Sequence, residues 1–285
     1  MLVKATLEDI EKYGDFVYQI ALDQTRSAYP TYTDGIKTRE DFLRKSQENI
    51  TREESDVWLY FAEGRMEGWI EYFFEPENNY FQLHGCNINS GTKQALEELL
   101  LYLVDKFLGY ELYFGFPKVN KEAVEFLQEN GFTCIEDDHN TSFFFDTYEL
   151  REEKEAVVKI TKDNFADFEK IHSQEVDETY YWTSERILAD MDSWNIYVYY
   201  ENSLPIGAIF FRGTEYLEIY GIEFWEKAYR KDVYFALMVA ALNDGKHSGA
   251  KYLTYLCEDS ELEALQELGF VYVGPYVCYM KKICN

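Results

Sequence analysis

Basic residues are scarce in this 285-residue chain: 27 Lys and Arg stand against 53 Asp and Glu, a formal net charge of −26. That balance argues against nucleic acid, whose phosphates need a basic surface, and against an anionic membrane. It permits a cationic acceptor, and it also keeps a protein dispersed in water. Cysteine is sparse too. Cys86, Cys134, Cys257, Cys278 and Cys284 are odd in number and show no C-x-x-C spacing, which argues against a disulfide framework and a zinc site. The four histidines, His84, His139, His172 and His247, lack metal-ligand spacing, so no metal is expected. Long apolar runs are missing as well. The cleanest, Phe235 to Leu242, is far too short to cross a bilayer. Met1 to Ile10 carries charges where a secretory leader needs an apolar run, which points to a cytoplasmic, reducing setting. G-x-S-x-G, H-E-x-x-H, G-x-G-x-x-G and a full phosphate-binding P-loop do not occur.

What the chain does have is apolar material and repetition. Hydrophobic residues make up 47% and aromatics 18%, with 25 Tyr, enough for two cores. Leu59 to Gly64 followed by Gly68-Trp69-Ile70 is echoed by Tyr197 to Asn202 followed by Gly207-Ala208-Ile209. His84-Gly85 is echoed by Tyr220-Gly221, and Glu125 to Phe132 by Glu263 to Phe270. The three offsets are 139, 136 and 138 residues, so one domain is written twice, over 1–148 and 156–285. The first half carries about seventeen extra residues within Ser27 to Asp56, where Arg39 to Asn49 reads as a helix.

Each half reads alike. A short strand, Leu2 to Ala5 or Val157 to Ile160, leads through a Thr6 or Thr161 cap into a helix. In the first half the strands Val57 to Ala62, Gly68 to Phe74 and Tyr80 to Ile88 follow. A helix over Thr92 to Phe107, a strand over Tyr110 to Phe116 and a helix over Lys121 to Glu129 come next, then Gly131 as a helix-ending glycine and two short closing strands. The second half repeats the order to Lys281. The fold class is α/β in the α+β sense, each half a central mixed, mostly antiparallel sheet flanked by helices.

One stretch carries the functional reading. Glu215 to Leu242 runs as an alternating strand, a loop with Lys227, Arg230 and Lys231, then a buried helix face. A strand that enters a helix N-terminus through a basic loop suits an anionic group, because unpaired N–H groups and the helix dipole face it.

This order, with these residues, resembles the GNAT superfamily of acyl-CoA-dependent N-acetyltransferases, as two tandem copies. Asn120-Lys121-Glu122-Ala123 through Gly131-Phe132 matches the family's Asn-x-x-Ala…Gly-Phe helix segment, and Glu258 to Phe270 matches it more loosely. The strand–loop–helix segments at Tyr80 to Phe107 and Glu215 to Leu242 match its pyrophosphate-binding unit. The departures are equally specific. The family's loop is glycine-rich, whereas Arg230 to Ala236 has no glycine and Asn89 to Lys93 has one. Leu127 and Leu265 stand where the family often places an acidic tyrosine hydroxyl.

The resemblance implies acetyl-CoA as co-substrate, a small-molecule or peptide amine as acceptor, and a monomer or homodimer. It implies a polarising backbone N–H near Ile222 or Glu223, or near Cys86 or Asn87, and cofactor contacts from Arg230, Lys231, Val233 and Tyr234. The second half keeps the cations and so is expected to carry the cofactor. Tyr216, Glu218 and Tyr220 share one strand face, and a carboxylate between two rings makes Glu218 the candidate general base. The matching Gln82 cannot act as a base, and His84 suits either a base or a core hydrogen bond. Tyr276 and Tyr279 are the candidate acids for the leaving thiolate, and Glu258 and Asp259 suit either amine approach or helix capping. Tyr29, Tyr32, Tyr180, Tyr181 and Trp182 are expected to wall the acceptor site or to pack. Missing glycines and tyrosines leave a second possibility, a degenerate binding or interaction module.

Overall fold

The computed structural model describes residues 1–28, 38–174 and 181–284. Two compact units emerge, Met1–His139 with Val273–Asn285, and Asn140–Tyr272.

The first unit contains β1 (Leu2–Lys4), α1 (Leu7–Ala21), α2 (Arg39–Thr51), β2 (Ser55–Ala62), β3 (Arg65–Glu75), β4 (Tyr80–Ile88), α3 (Thr92–Lys106), β5 (Glu111–Pro117), α4 (Lys121–Glu129) and the start of β6 (Thr133–Phe144). Thr6 opens α1 with a capping box, its side chain accepting from the Asp9 N–H while the Asp9 carboxylate accepts from the Thr6 N–H. The apolar faces of α1 and α2 bury Ile10, Val17 and Phe42 against Trp69 on one side of the sheet. On the other side α3 and α4 bury Leu96, Leu99 and Phe126 against Phe81 and Phe114.

The second unit contains β7 (Val157–Lys159), α5 (Phe165–His172), α6 (Ser184–Ala189), β8 (Trp194–Glu201), β9 (Leu204–Gly213), β10 (Tyr216–Phe224), α7 (Lys231–Ser248), β11 (Tyr252–Cys257), α8 (Leu262–Leu268) and the start of β12 (Val271–Lys282). Phe168 and Ile171 of α5 pack with Trp194 and Phe210 on one face. Val233, Leu237 and Ala241 of α7 pack with Ile209, Leu217 and Leu253 on the other. The duplication reaches the backbone angles. The β2–β3 turn has Glu63 at φ 51° and Gly64 at 76°, and the β8–β9 turn has Asn202 at 51° and Ser203 at 64°. Two successive left-handed residues match the twist of the flanking strands. Gly131 and Gly269 end α4 and α8 at φ 71° and 102°.

The closing strands depart from the sequence boundaries of 1–148 and 156–285. Where two short strands were expected after Gly131, a single strand, β6, runs twelve residues. From Asn140 on it counts with the second unit, where Thr141 Oγ1 donates to the Tyr255 carbonyl at 2.9 Å. Tyr276–Lys282 of β12 counts with the first unit and pairs antiparallel with β5. Each half thus supplies the last strand of the other's sheet. Alternation in a sequence reveals which side chains share a face, and it leaves the neighbouring strand undetermined.

Sheet order is β1-β2-β3-β4-β5-β12 in the first unit and β7-β8-β9-β10-β11-β6 in the second. The central pair of each is parallel and short. β4 and β5 pair from Tyr80↔Glu111 to Leu83↔Phe114, and β10 and β11 from Tyr216↔Tyr252 to Ile219↔Tyr255. Beyond those residues β4 and β10 continue only against their antiparallel partners, to Ile88 and Phe224. Both units therefore have a central pair that parts. The outer main-chain groups of the departing strand are the feature that positions a candidate site. Among the described residues no helix is long and apolar enough to cross a membrane.

Candidate functional site

In the first unit the gap is filled by the chain itself. The segment after α1 lies along the far end of β4, with the Ala28 N–H donating to the Cys86 carbonyl at 2.9 Å and the Ile88 N–H donating to the Arg26 carbonyl at 3.1 Å. Asn120 pins that segment through Nδ2 to the Ser27 carbonyl at 3.1 Å while its Oδ1 caps α4. The helix end beyond is also taken, because the Thr92 N–H of α3 donates to Glu122 Oε2 at 3.1 Å. A carboxylate there uses the same orphan N–H and dipole that a phosphate needs. Lys93 is engaged with Glu129. Cys86, Asn87 and Ile88 are buried, as expected of a strand covered on both edges.

Registers match one for one: Ile70↔Cys86 and Gly68↔Ile88 in the first unit correspond to Ile209↔Ile222 and Gly207↔Phe224 in the second. The main-chain groups of Ile222 and Phe224 therefore point away from β9, as those of Cys86 and Ile88 point away from β3. Among the described residues no segment is hydrogen-bonded along this edge. Tyr220, Gly221 and Ile222 are half-buried, against full burial of Gly85 to Ile88. Of the predicted polarising groups, Ile222 thus presents its N–H to the gap. Glu223 presents its N–H to β9, and its role is carried by the side chain.

The loop beyond β10 makes its turn without glycine. Glu226 and Lys227 both take φ 55°, and the Glu226 N–H is held by Gln174 Oε1 at 2.9 Å. Left-handed backbone costs an L-residue about 1–2 kcal/mol, so the loop's conformation is maintained against its local preference. α7 then begins at Lys231 with no side-chain cap. The Val233 and Tyr234 N–H groups donate to the Arg230 carbonyl at 3.1 and 2.9 Å, so they cannot bind a phosphate as expected from the sequence. The amides without an intrahelical partner are those of Lys231 and Asp232. Val233 and Tyr234 point their side chains into the core instead. Arg230 pairs with Glu201 at 2.9 Å and Asp232 at 2.8 Å, and Lys231 with Glu267 at 2.9 Å. All of these are exposed surface pairs that a polyanion can displace. Phe224, Tyr229 and Tyr234 follow one another, Tyr229 edge-on to Phe224 at 5.4 Å and tilted against Tyr234 at 5.8 Å. Tyr255 donates to Glu261 at 3.0 Å, and burial pushes its phenol well above the ordinary value. The Tyr234 hydroxyl, buried on the same side, lies toward Glu261 without a hydrogen bond of ordinary geometry, and burial raises its pKa as well.

The opposite face of β10 carries the titratable groups. A bulge between Ile219 and Gly221 resets the alternation, so Glu223 falls on the same face as Glu218 and Tyr220. Period two alone placed Tyr216, Glu218 and Tyr220 together and could not extend the set to Glu223. Tyr220 Oη donates to Glu218 Oε2 at 3.1 Å. Burial first, and the Glu218 charge next, raise the Tyr220 pKa, which keeps the phenol a donor and Glu218 its acceptor. His172, fully buried, contacts Glu223 through Nδ1 at 2.8 Å and the Trp182 carbonyl through Nε2 at 2.7 Å. A carbonyl only accepts, so Nε2 carries hydrogen, and Nδ1 and the Glu223 carboxylate share one further proton. That pair already holds its proton and serves to tie α5, the Trp182 turn and β10 together. The sequence signal for it was only a histidine at a helix end.

Trp182 stands edge-on to Tyr220 at 5.7 Å and to Trp194 at 4.9 Å, and Tyr181 adjoins it at 4.8 Å. On this face Tyr181 and Trp182 pack with Trp194 and Tyr220. Tyr29, Tyr32 and Tyr180 lie outside the described residues. Glu258 and Asp259 sit in the turn before α8, where Glu261 Oε2 accepts from the Glu258 N–H at 3.1 Å. His84 in the first unit stands edge-on to Phe73 at 5.9 Å. Tyr276 and Tyr279, expected as acids beside Glu218, belong to the first unit. Tyr276 covers Gly115, and the Tyr279 hydroxyl accepts from Gln128 Nε2 at 2.9 Å. The copy of the fold that holds Glu218 does not contain them, because β12 leaves it.

No protein-family model matches the sequence, and no curated protein matches it. Solved structures do match, and the fold is that of GCN5-related N-acetyltransferases. A GCN5-related N-acetyltransferase from Sphaerobacter thermophilus aligns over 100% of this chain and 96% of its own, with a TM-score of 0.66 and 12% identity. A tandem GNAT protein from the clavulanic acid biosynthesis pathway aligns over 100% and 99%, at 0.57 and 12%. A Drosophila protein aligns over 98% and 98%, at 0.60 and 11%.

Proposed function

We propose that the second unit is an N-acetyltransferase that moves the acetyl group of acetyl-CoA onto a primary amine, and that the first unit is a degenerate copy. The observation that carries this reading is the parting of the central pair: β10 leaves β11 after Ile219 and runs on against β9 alone, with the Ile222 N–H turned away from β9. The same edge of β4 is closed by Arg26–Ala28. An amide-bearing pantetheine arm can bond to such an edge as a strand does. The uncapped N-terminus of α7, flanked by Arg230 and Lys231, is the place for the pyrophosphate.

Acetyl transfer then needs three services from this chain. The Ile222 N–H polarises the thioester carbonyl, a donor fixed in place before the charge develops. Glu218, reached directly or through one water and held by the Tyr220 hydroxyl, takes a proton from the amine as it attacks. The carbon–sulfur bond breaks, and the thiolate takes a proton from a phenol of the Tyr229, Tyr234 and Tyr255 cluster. Tyr229 is the first choice there, since it is 49% exposed while Tyr234 and Tyr255 are buried. A chain of net charge −26 needs local cations to draw in a polyanion, which is what Arg230 and Lys231 supply.

Calorimetric titration with acetyl-CoA tests the reading. One saturable site per chain is expected, and Arg230→Ala should weaken it by about 5- to 10-fold, the loss of one charge-assisted contact. No heat with acetyl-CoA or CoA would remove the proposal and leave the second reading, a binding module. The closure of the first unit already favours that reading for its own half.

A further inference from the structure

We infer that Arg212 is the docking group for an anionic substituent of the acceptor, so that the substrate is an amine bearing a carboxylate or phosphate elsewhere in the molecule. The inference rests on the acetyl-transfer reading for the fate of the amine and on geometry alone for the anion. Trp194, Arg212 and Glu218 are direct cross-strand neighbours on β8, β9 and β10. Their side chains therefore stand in one row on the face that holds Tyr220, Glu223 and the aromatic cluster. The Arg212 guanidinium lies over the rings of Trp182 and Trp194, 5.2 and 5.1 Å from their centroids. Ring faces on which a guanidinium rests fix its plane without using its hydrogens.

Those hydrogens are what remain to be accounted for. Among the described residues the nearest carboxylate to the Arg212 guanidinium is Asp190, a 3.8 Å ion pair that is too long for a hydrogen bond and is itself exposed. Arg212 is about one-third exposed, at 32%, so a ligand can reach it. Beside it a second donor is unused, since Trp194 is only 5% exposed and its Nε1 has no partner. Buried polar groups are nearly always bonded, and an orphan calls for an explanation. The Trp194 Nε1 is buried, so the donor that an incoming anionic group can reach is the partly exposed Arg212 guanidinium. A carboxylate or phosphate accepts from the fork of a guanidinium, two parallel N–H···O bonds at once. With that group at Arg212, the rest of a short acceptor extends across Tyr220 toward Glu218 and the gap, which places its amine beside the base. A plain hydrophobic amine would leave the guanidinium unanswered.

Tryptophan fluorescence of the full chain reads this directly, because Trp182 and Trp194 touch the guanidinium. Titrations in the absence of acetyl-CoA would use β-alanine, 2-aminoethyl phosphate and ethanolamine as probes. The expected result is a saturable change with β-alanine or 2-aminoethyl phosphate and none with ethanolamine. The responding probe identifies the anion. Arg212→Gln should raise the Kd about 10-fold or more, and Arg212→Lys, which keeps charge without the fork, should fall between. A thermal melt confirms that each variant is folded. Equal responses to all three amines, or a Kd unchanged in Arg212→Gln, would overturn the inference. Thiol release from acetyl-CoA, measured separately, keeps the two readings apart. Anion binding without transfer would leave the Arg212 site standing and remove the transferase. Transfer to ethanolamine as efficient as to the anionic amines would do the reverse.

Discussion

Replacing Ile222 by proline should lower acetyl-CoA affinity about 10-fold or more, while Ile222→Ala stays within a few-fold of the parent. Proline removes one backbone N–H and projects its ring carbon to the same side. At most positions of a sheet this would break the ladder. At Ile222 the N–H faces the gap and not β9, so the loss falls on the ligand. Alanine keeps the N–H and removes only side-chain contacts, which makes it the control for packing. Calorimetry on both variants, with circular dichroism to show that the sheet persists, decides the matter. Equal affinities for the two would mean that the cofactor does not use the β10 edge.

Glu218→Gln should reduce kcat by about 10²- to 10⁴-fold, the range for removing a positioned proton acceptor, with the KM for acetyl-CoA little changed. Glutamine retains the shape and can still accept from the Tyr220 hydroxyl, so the aromatic cluster should keep its place. A substrate offered at a pH where its amine is already neutral should recover part of the loss, since the variant lacks only the means to take the proton. A variant as active as the parent would move the base elsewhere on this face. Glu223 is the poorer candidate because it already shares a proton with His172.

Much of this architecture was legible in the sequence. The constant offset of the repeat, the strand Tyr80 to Ile88 and the helix Lys121 to Glu129 all agree with the structure, because strong apolar periodicity and a capping Asn or Gly leave little freedom. What could not be read was pairing between distant segments. Nothing in Arg26-Ser27-Ala28 announces that it lies along Cys86–Ile88, and nothing in Tyr276 or Tyr279 announces that β12 counts with the first unit. The bulge at Tyr220–Gly221 is equally silent. One extra residue moves Glu223 to the other face, and a period-two count passes over it. The segment Arg230 to Ala236, which lacks glycine, is helix from Lys231 on, and the left-handed angles at which glycine is ordinarily found fall earlier, at Glu226 and Lys227.

The most direct test of the central claim is backbone amide hydrogen exchange with and without acetyl-CoA. The account predicts slowed exchange over Ile222–Phe224 and at the start of α7 when acetyl-CoA is added, with Cys86–Ile88 unchanged because the Ile88 amide is already bonded to Arg26. Protection confined to Cys86–Ile88, or no change at either edge under saturating ligand, would contradict it.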